Sequence, residues 1–128
     1  MTDELVVVTT TAPDGEVADR LARELVERGA AACVQRSPIR STYRWHGQVH
    51  DEDEVLLVVK TVRDRVADVA AVVDELHPYE LPELVVTPAG ASDPYGAWVV
   101  DQVGGAGRTS AAGKATGSTA PSEVRRSR

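Results

Sequence analysis

Aromatic and sulfur-containing residues are scarce in this chain of 128 residues, which has no phenylalanine, three tyrosines, two tryptophans and a single cysteine. A hydrophobic core must therefore be built from valine, leucine and alanine. The lone Cys33 excludes an internal disulfide, which is typical of a reducing cytoplasm. No apolar run approaches the ~20 residues of a membrane-spanning helix, and no basic-then-apolar signal stretch is visible. We therefore expect a cytoplasmic protein without a membrane partner.

Charge divides the chain into two parts. Residues 104–128 are rich in Gly, Ala, Ser and Thr and hold five basic residues and one acidic residue, a net charge of +4. Because the whole chain has a formal net charge of −6, residues 1–103 carry −10. The C-terminal part has almost no large apolar side chain to offset its ordering entropy. We predict a globular domain over 1–103 and a disordered basic tail over 104–128. The acidic domain lacks the basic face that nucleic acids require, so no nucleic-acid partner is expected.

Hydrophobic periodicity predicts alternating strands and helices in the domain. The β-branched run 5–11 indicates a central strand, and an apolar stripe at i, i+4 and i+8 indicates a helix that starts near Asp14 and ends at Gly29. Alternating polarity over 30–45 and a second run over 48–60, joined by a tight turn, predict a long β-hairpin.

The remaining elements complete an α+β pattern. Thr61, with Asp64 three residues later, resembles a capping box and predicts the start of a second helix. Residues 84–87 indicate a short last strand, and Ser92-Asp93-Pro94 indicates the start of a closing helix. The order β-α-β-β-α-β with an added C-terminal helix predicts a ferredoxin-like antiparallel sheet with two helices on one face.

Motifs that mark common enzyme classes are missing. The chain has no phosphate-binding or dinucleotide-binding glycine loop, no Cys-x-x-Cys pair and no helical pair of histidines for zinc. The predicted strand order is similar to that of the small acyl-phosphate hydrolases. Enzymes of that family resemble one another in using an arginine and an asparagine. This chain contains no asparagine, which argues against that class of enzyme. We therefore predict a binding protein and not an enzyme.

The predicted hairpin is too long for its own domain. Each arm of about 13–16 residues spans roughly 45–50 Å, whereas a domain of about 100 residues has a diameter of about 35 Å. The hairpin must bend, overhang or pair with another chain, and Pro38 indicates a bend or bulge. Because long uncovered edges promote aggregation, we predict a closed cyclic homo-oligomer in which hairpins pair across subunits.

The segment His77-Pro78-Tyr79-Glu80-Leu81-Pro82-Glu83 concentrates polar groups around two prolines. Each proline fixes its own φ and restricts the residue before it. The loop therefore holds an imidazole, a phenol and carboxylates at defined angles, which is typical of a loop that presents these groups to a ligand.

Five motifs in order make the chain similar to the CutA divalent-cation tolerance proteins over about residues 5–103. They are Thr11-Ala12-Pro13-Asp14, Ala31-Ala32-Cys33-Val34, Tyr43-Arg44-Trp45-His46-Gly47, Asp53-Glu54-Val55-Leu56-Leu57 with Lys60-Thr61, and the proline-flanked loop His77–Glu83. The resemblance implies a ferredoxin-like fold and a homotrimer similar in build to the PII signalling proteins. It also implies a role in tolerance of copper and other divalent metals.

The chain departs from that family at the metal ligands. The resemblance to copper-binding members implies three ligands, a cysteine before Thr-Ala-Pro-Asp and two histidines before Pro-Tyr. In this chain those three positions hold Thr10, Leu76 and His77. Copper is held tightly by thiolate or imidazole ligands. We therefore expect a weak or modified site for Cu²⁺ or another divalent cation, made of His77 with Cys33 or carboxylates. The alternatives are an inert, buried Cys33 and a His77 with a capping or salt-bridge role at the end of a helix.

A second candidate site follows from the spacing along the long strand. Glu54 and Lys60 share one face of it, and a lysine in an apolar run needs a partner when it is buried. They would form part of an inter-subunit cleft that also includes Tyr43, Trp45, Tyr79 and Glu83. The cleft is either an interface with an ion pair that sets trimer register or a pocket for a small ligand or metal. A PII-like small-molecule signalling module and a trimeric interaction scaffold therefore remain alternatives to a metal-tolerance protein.

Overall fold

Four strands and three α-helices alternate along residues 4–104, the part of the chain that the computed structural model describes. They are β1 (Leu5–Ala12), α1 (Gly15–Glu27), β2 (Cys33–Trp45), β3 (Gln48–Val62), α2 (Val66–Leu76), β4 (Val85–Pro88) and α3 (Asp93–Gly104), with a 3₁₀ turn at Arg63–Arg65 before α2. The predicted α+β class is confirmed. Gly104, where the tail was predicted to begin, is the last residue of α3, and the rest of that predicted tail lies outside the described residues.

The strands form one antiparallel sheet in the order β2-β3-β1-β4. β3 pairs with β1 on one side, from Leu5 opposite Val62 to Ala12 opposite Val55. On its other side β3 pairs with β2 in an unbroken register. β2 and β4 are therefore the edge strands, and the most apolar part of β3 lies at the centre of the sheet.

The signals that predicted α1 are confirmed. Asp14 Oδ1 accepts a hydrogen bond from the backbone N–H of Val17 at 3.0 Å, which satisfies one of the free donors of the first turn. Gly29 follows the last turn with φ 76°, a left-handed conformation that glycine adopts at little cost. Leu21 and Leu25 carry the apolar stripe and are fully buried.

The start of α2 differs from the prediction, because Thr61 does not cap the helix. Thr61 is a buried residue of β3, and its hydroxyl donates to the carbonyl oxygen of Ala30 at 2.7 Å. The 3₁₀ turn follows, and Arg65 at the N-cap of α2 makes no side-chain capping bond. Threonine is β-branched and favours a strand. The pairing of Thr61 with Val6 on β1 therefore overrides the local capping signal.

The two faces of the sheet are covered differently. α1 and α2 pack on one face, where Val8 and Val59 are fully buried. α3 packs on one end of the opposite face, where Val99 joins Val62 and Ala32 in a smaller cluster. Within residues 4–104, no helix is both long enough and apolar enough to cross a membrane.

The β2–β3 hairpin extends beyond the rest of the sheet. β1 ends opposite Val55, so residues 48–54 of β3 pair only with residues 39–45 of β2 among the described residues. Seven residue pairs at about 3.4 Å each give an overhang of about 24 Å. Of the bend or bulge predicted at Pro38, the bulge is wrong, because Pro38 pairs with Val55 in regular register. As an edge strand, β2 tolerates the missing N–H of proline.

The tip of the hairpin is the predicted tight turn. His46 and Gly47 have φ values of 52° and 76°, and Trp45 lies directly opposite Gln48. Two successive positive φ values are typical of a type I′ turn, whose twist matches that of the flanking strands.

Candidate functional site

His77 lies at the C-terminal end of α2, and both nitrogens of its buried imidazole are engaged. Nε2 lies 2.6 Å from the carbonyl oxygen of Thr11, and Nδ1 lies 3.1 Å from the backbone nitrogen of Tyr79. A carbonyl only accepts, so we assign the ring hydrogen to Nε2, and Nδ1 then accepts from the N–H of Tyr79. The ring joins α2, β1 and the proline-flanked loop. These two contacts favour a structural role for His77, in which its side chain bonds β1 and the loop.

Tyr79 extends this set of contacts to the hairpin. Its ring centroid lies 4.6 Å from that of His77, and its hydroxyl donates to Glu54 Oε2 at 2.7 Å. Tyr79 is 5% and Glu54 2% exposed. A buried carboxyl group is costly unless it is hydrogen-bonded. The loop therefore supplies a donor to Glu54 at the point where β3 extends past β1.

Cys33, Lys60 and Tyr95 form a second group near the other end of the same sheet face. Cys33 lies directly opposite Lys60 in the β2–β3 ladder. Lys60 Nζ is 6.0 Å from the centroid of the Tyr95 ring, at the outer limit of a cation–π contact. Desolvation raises the pKa of Tyr95, and Cys33 raises it further through its charge and a side-chain hydrogen bond. The cysteine thus contacts α3 and not the proline-flanked loop.

The structure does not bring Cys33 and His77 together. Cys33 is opposite Lys60, and Lys60 is opposite Val7 on β1, whereas His77 contacts β1 at Thr11. The four residues from Val7 to Thr11 span about 13 Å of strand. A shared metal ion requires each ligand atom within about 2.3 Å of it. In the described part of the chain, no group of three or more His, Cys, Asp or Glu side chains is arranged to hold a metal.

The predicted cleft residues do not form one cleft within a single protomer. Glu54 and Tyr79 are in contact, but Lys60 lies six residues along β3 from Glu54, about 20 Å of strand. The two charged groups therefore do not pair within one chain. Glu83 lies half-buried in the segment before β4.

The two aromatic cleft residues lie on the overhanging part of the hairpin. The Tyr43 hydroxyl bonds Glu52 Oε1 at 2.9 Å, and its ring stacks on His50 with centroids 5.3 Å apart. Trp45 packs edge-on against His46 with centroids 4.8 Å apart. Tyr43 is opposite His50, four residues or about 13 Å along β3 from Glu54. Both side chains are on the same face of the sheet as Glu54 and nearer the tip of the hairpin.

Two features were not found from the sequence. The hydroxyl of Thr10 is fully buried and has no hydrogen-bond partner, the sole such side-chain atom recorded among residues 4–104. A threonine in a β-branched run gives no sign of this, because its partner depends on neighbouring elements. The interaction of Tyr95 with Cys33 likewise depends on the packing of α3 against the sheet. The sequence predicted the helix that carries Tyr95 but not this interaction.

These features define a small α+β protein with an overhanging hairpin and a buried histidine–tyrosine–glutamate contact at the base of the overhang. The family model of the CutA1 divalent ion tolerance protein matches residues 6–102. The match covers well over half of the chain, and the chain belongs to this family.

Two similar proteins show how far the likeness extends. The divalent-cation tolerance protein CutA of Thermus thermophilus is 41% identical over 100 residues, which are 77% of this chain and 97% of that protein. A CutA homolog of Xenopus laevis is 42% identical over 95 residues, which are 73% of this chain. The chain spans 63% of the length of the Xenopus protein.

Solved structures agree with the fold. CutA1 of Oryza sativa superposes with a TM-score of 0.76 at 33% identity and covers 80% of this chain and 95% of its own. The periplasmic divalent cation tolerance protein CutA of Archaeoglobus fulgidus gives a TM-score of 0.76 at 31% identity, with coverage of 77% and 98%. Both matches extend over nearly the whole of the solved chain.

Proposed function

We propose that this chain is a divalent-metal tolerance protein that acts by binding, without catalysis, as a homotrimer in the cytoplasm. The observation that carries the proposal is the family match over residues 6–102, together with relatives that are named for divalent-cation tolerance. The hydrogen bonds of His77 and Tyr79 hold the proline-flanked loop in place. This use of the two side chains favours a binding protein over an enzyme that would use them in catalysis.

The metal site of this protein is weak and centres on His77. A metal ion gains an imidazole ligand there only by replacing the hydrogen bond to Thr11 or the one from Tyr79. The nearby carboxylate of Glu54 is a hard ligand that adds little affinity for copper. Cys33 belongs to another part of the protomer and is not a co-ligand within one chain.

Calorimetric titration with Cu²⁺ tests this site. We expect a dissociation constant above about 1 μM, which corresponds to less than about 8 kcal/mol of binding free energy. His77→Ala removes the binding, whereas Cys33→Ser and the control His50→Ala leave it unchanged. Stoichiometric sub-micromolar binding that is lost in Cys33→Ser contradicts the proposed site and places the metal at Cys33 instead.

The overhanging hairpin supports the trimer. Residues 48–54 of β3 extend past the end of β1 over about 24 Å, with no third strand beside this part of the hairpin within residues 4–104. Such an extension is stable in solution when another chain covers it. Part of the sheet face opposite α1 and α2, which includes Val7, Leu56 and Val58, is only half-buried in one protomer. A closed ring of three copies covers both features.

The trimer also completes the proposed cleft. Tyr43 and Trp45 of one hairpin would approach the Glu54–Tyr79 pair of the next protomer, whereas within one chain their backbone positions are offset from Glu54 by about 13 Å or more along the strand. Lys60 of β3 and Glu83 of the segment before β4 would then contribute to the cleft as well. The cleft is thus a property of the assembly.

Light scattering after size-exclusion chromatography tests the trimer. We expect a mass about three times the 13.7 kDa of the chain. Ile39→Asp on the overhang shifts the mass towards that of a monomer, because a buried carboxylate at an interface is costly. The control Val26→Asp, at an exposed position of α1, keeps the trimer. A monomer at micromolar concentration for the unmodified chain contradicts the proposal.

A further inference from the structure

A shallow groove of about 660 Å³ runs between α3 and the start of β1, away from the His77 site. Leu5 and Val100 form its apolar floor, and alanines and one glycine, Gly96, form much of its wall. Leu5 packs against α3 at that glycine, where an added Cβ would lie 3.8 Å from its side chain. Because the wall side chains are short, a thin and unbranched molecule can lie along α3 in contact with both floor residues.

Two carboxylates line the groove at opposite ends of α3. Asp93 is in the first turn of the helix, and Asp101 is in the last turn. Neither has an ion-pair partner within residues 4–104. The third acidic residue of the groove, Glu4, pairs with Arg63 at 3.4 Å. The groove therefore has one uncompensated negative charge at each end and an apolar floor between them.

The need for a cation is greatest at Asp101. The last turn of α3 contains no basic residue, and the helix macrodipole disfavours a carboxylate and favours a cation at that end. Residues 1–103 as a whole carry a net charge of −10. Their field attracts cations to the groove and adds to the effect of the two carboxylates.

We propose that this groove binds a linear aliphatic polyamine. One terminal ammonium group pairs with Asp93 and the other with Asp101, and the methylene chain between them covers Leu5 and Val100. The two carboxylates supply charge-assisted hydrogen bonds. Burial of the methylene groups adds a hydrophobic contribution that a small hydrated cation does not make. The proposal does not depend on the metal site at His77.

The spacing of the carboxylates matches a polyamine of defined length. Asp93 and Asp101 are eight positions apart in the sequence, which is about 12 Å along a helix axis. The terminal nitrogens of extended spermidine or 1,8-diaminooctane are about 11 Å apart, at about 1.25 Å per bond. Those of 1,4-diaminobutane are only about 6 Å apart by the same measure. The shorter diamine therefore reaches one carboxylate at a time.

The same geometry disfavours two other cationic ligands. A single divalent metal ion needs oxygen ligands within about 2.6 Å, so it cannot join carboxylates about 12 Å apart. A basic peptide would place its peptide groups on the apolar floor, where buried polar groups are costly unless they are hydrogen-bonded. A chain of methylene groups has no such polar groups to satisfy.

Titration of the full chain with a series of amines, followed by heteronuclear NMR, tests the proposal. With spermidine and 1,8-diaminooctane we expect amide shifts centred on Gly96 and Ala97, in the middle of the groove. 1,4-Diaminobutane binds about fivefold more weakly, as the loss of one exposed ion pair predicts. 2,2′-(Ethylenedioxy)diethylamine has the length of 1,8-diaminooctane but fewer methylene groups, and it binds at least about twofold more weakly. At about 0.5 M NaCl, where charges are screened beyond a few ångströms, the binding is lost.

Charge variants assign the two ends of the ligand. Asp93→Asn and Asp101→Asn each weaken the binding of spermidine about fivefold. Each also abolishes the preference for the longer amines, because only one carboxylate is left. The control Asp74→Asn, at an exposed position of α2, changes neither the affinity nor the preference.

Three outcomes overturn the proposal. Equal affinity for long and short amines, or an effect of Asp74→Asn as large as that of Asp101→Asn, shows general attraction of counter-ions to an acidic protein. Amide shifts that centre on the acidic hairpin place the amines there. Tighter binding of a trilysine peptide, blocked at both termini so that its charge equals that of spermidine, assigns the groove to a basic peptide.

Discussion

The Tyr79 hydroxyl donates to Glu54 Oε2 at 2.7 Å, and this bond ties the proline-flanked loop to the base of the overhanging hairpin. Both side chains are buried. A hydrogen bond that links a loop to a long strand in this way restricts the direction in which the hairpin leaves the sheet. In the proposed trimer, that direction would determine where the overhanging hairpin contacts the neighbouring protomer.

Replacing this donor gives the first prediction. Tyr79→Phe keeps the ring on His77 but removes one hydrogen bond to a buried carboxyl group, which costs about 1.5–3 kcal/mol. We expect urea denaturation to show that loss in the free energy of unfolding. Tyr43→Phe is the matched control, because its hydroxyl bonds the part-exposed Glu52. A loss as large in the control would show that burial of Glu54 does not set the cost.

The unpartnered hydroxyl of Thr10 gives the second prediction. Thr10→Val has nearly the same shape and removes a buried polar atom that has no partner, so we expect the free energy of unfolding to rise by about 1 kcal/mol. Thr61→Val is the opposite case, because its buried hydroxyl bonds Ala30. That variant loses about 1–2 kcal/mol. Destabilisation by both changes would indicate that Thr10 also has a partner.

The glycine within α3 gives the third prediction. A Cβ at Gly96 would meet only Leu5 side-chain carbons, at 3.8 Å and beyond, which is ordinary contact. Gly96→Ala should therefore raise stability by about 0.5–1 kcal/mol through the lower entropy of the unfolded chain. Gly47→Ala should lower it, because Gly47 has φ 76°. Calorimetric melting temperatures that move in opposite directions confirm the prediction, and a fall for Gly96→Ala contradicts it.

The fourth prediction concerns pH. Desolvation and then Cys33 raise the pKa of Tyr95 from 10.0. In the folded protein Tyr95 keeps its proton at a pH where the unfolded chain has lost it. Its contribution to stability is therefore fully present below pH ~10 and is lost as the pH rises through the folded pKa. Titration followed by ¹³C-tyrosine NMR should place Tyr95 above 10.0.

A cysteine variant identifies the source of that shift. Cys33→Ser removes the thiolate charge, so the pKa of Tyr95 should move down towards its ordinary value while the desolvation effect persists. Gln35→Ala, at an exposed position of the same strand, should leave the pKa of Tyr95 unchanged. An unchanged value in Cys33→Ser would attribute the whole shift to desolvation.

Local sequence patterns were sufficient for the elements whose signals lie within one segment. The Asp14 cap, the glycine that ends α1 and the two-residue turn at His46-Gly47 all follow from preferences that neighbouring residues express on their own. The length of the hairpin also predicted that it would bend, overhang or pair with another chain, and the structure has the overhang. Thr61 shows the limit, because its capping signal is outweighed by its pairing with Val6 of β1 and by the hydrogen bond of its hydroxyl to Ala30.

The sequence by itself determined the α+β class, the long hairpin and the family, because hydrophobic period, turn residues and motif order are written along the chain. Only the tertiary structure decided how the candidate ligands are used. It places Cys33 beside α3, engages both nitrogens of His77 and connects Tyr79 to Glu54. Apart from the bond between His77 Nδ1 and the N–H of Tyr79, which are two positions apart, the hydrogen bonds join residues 25 and 66 positions apart. Their distances depend on strand register and helix packing, which no local pattern specifies.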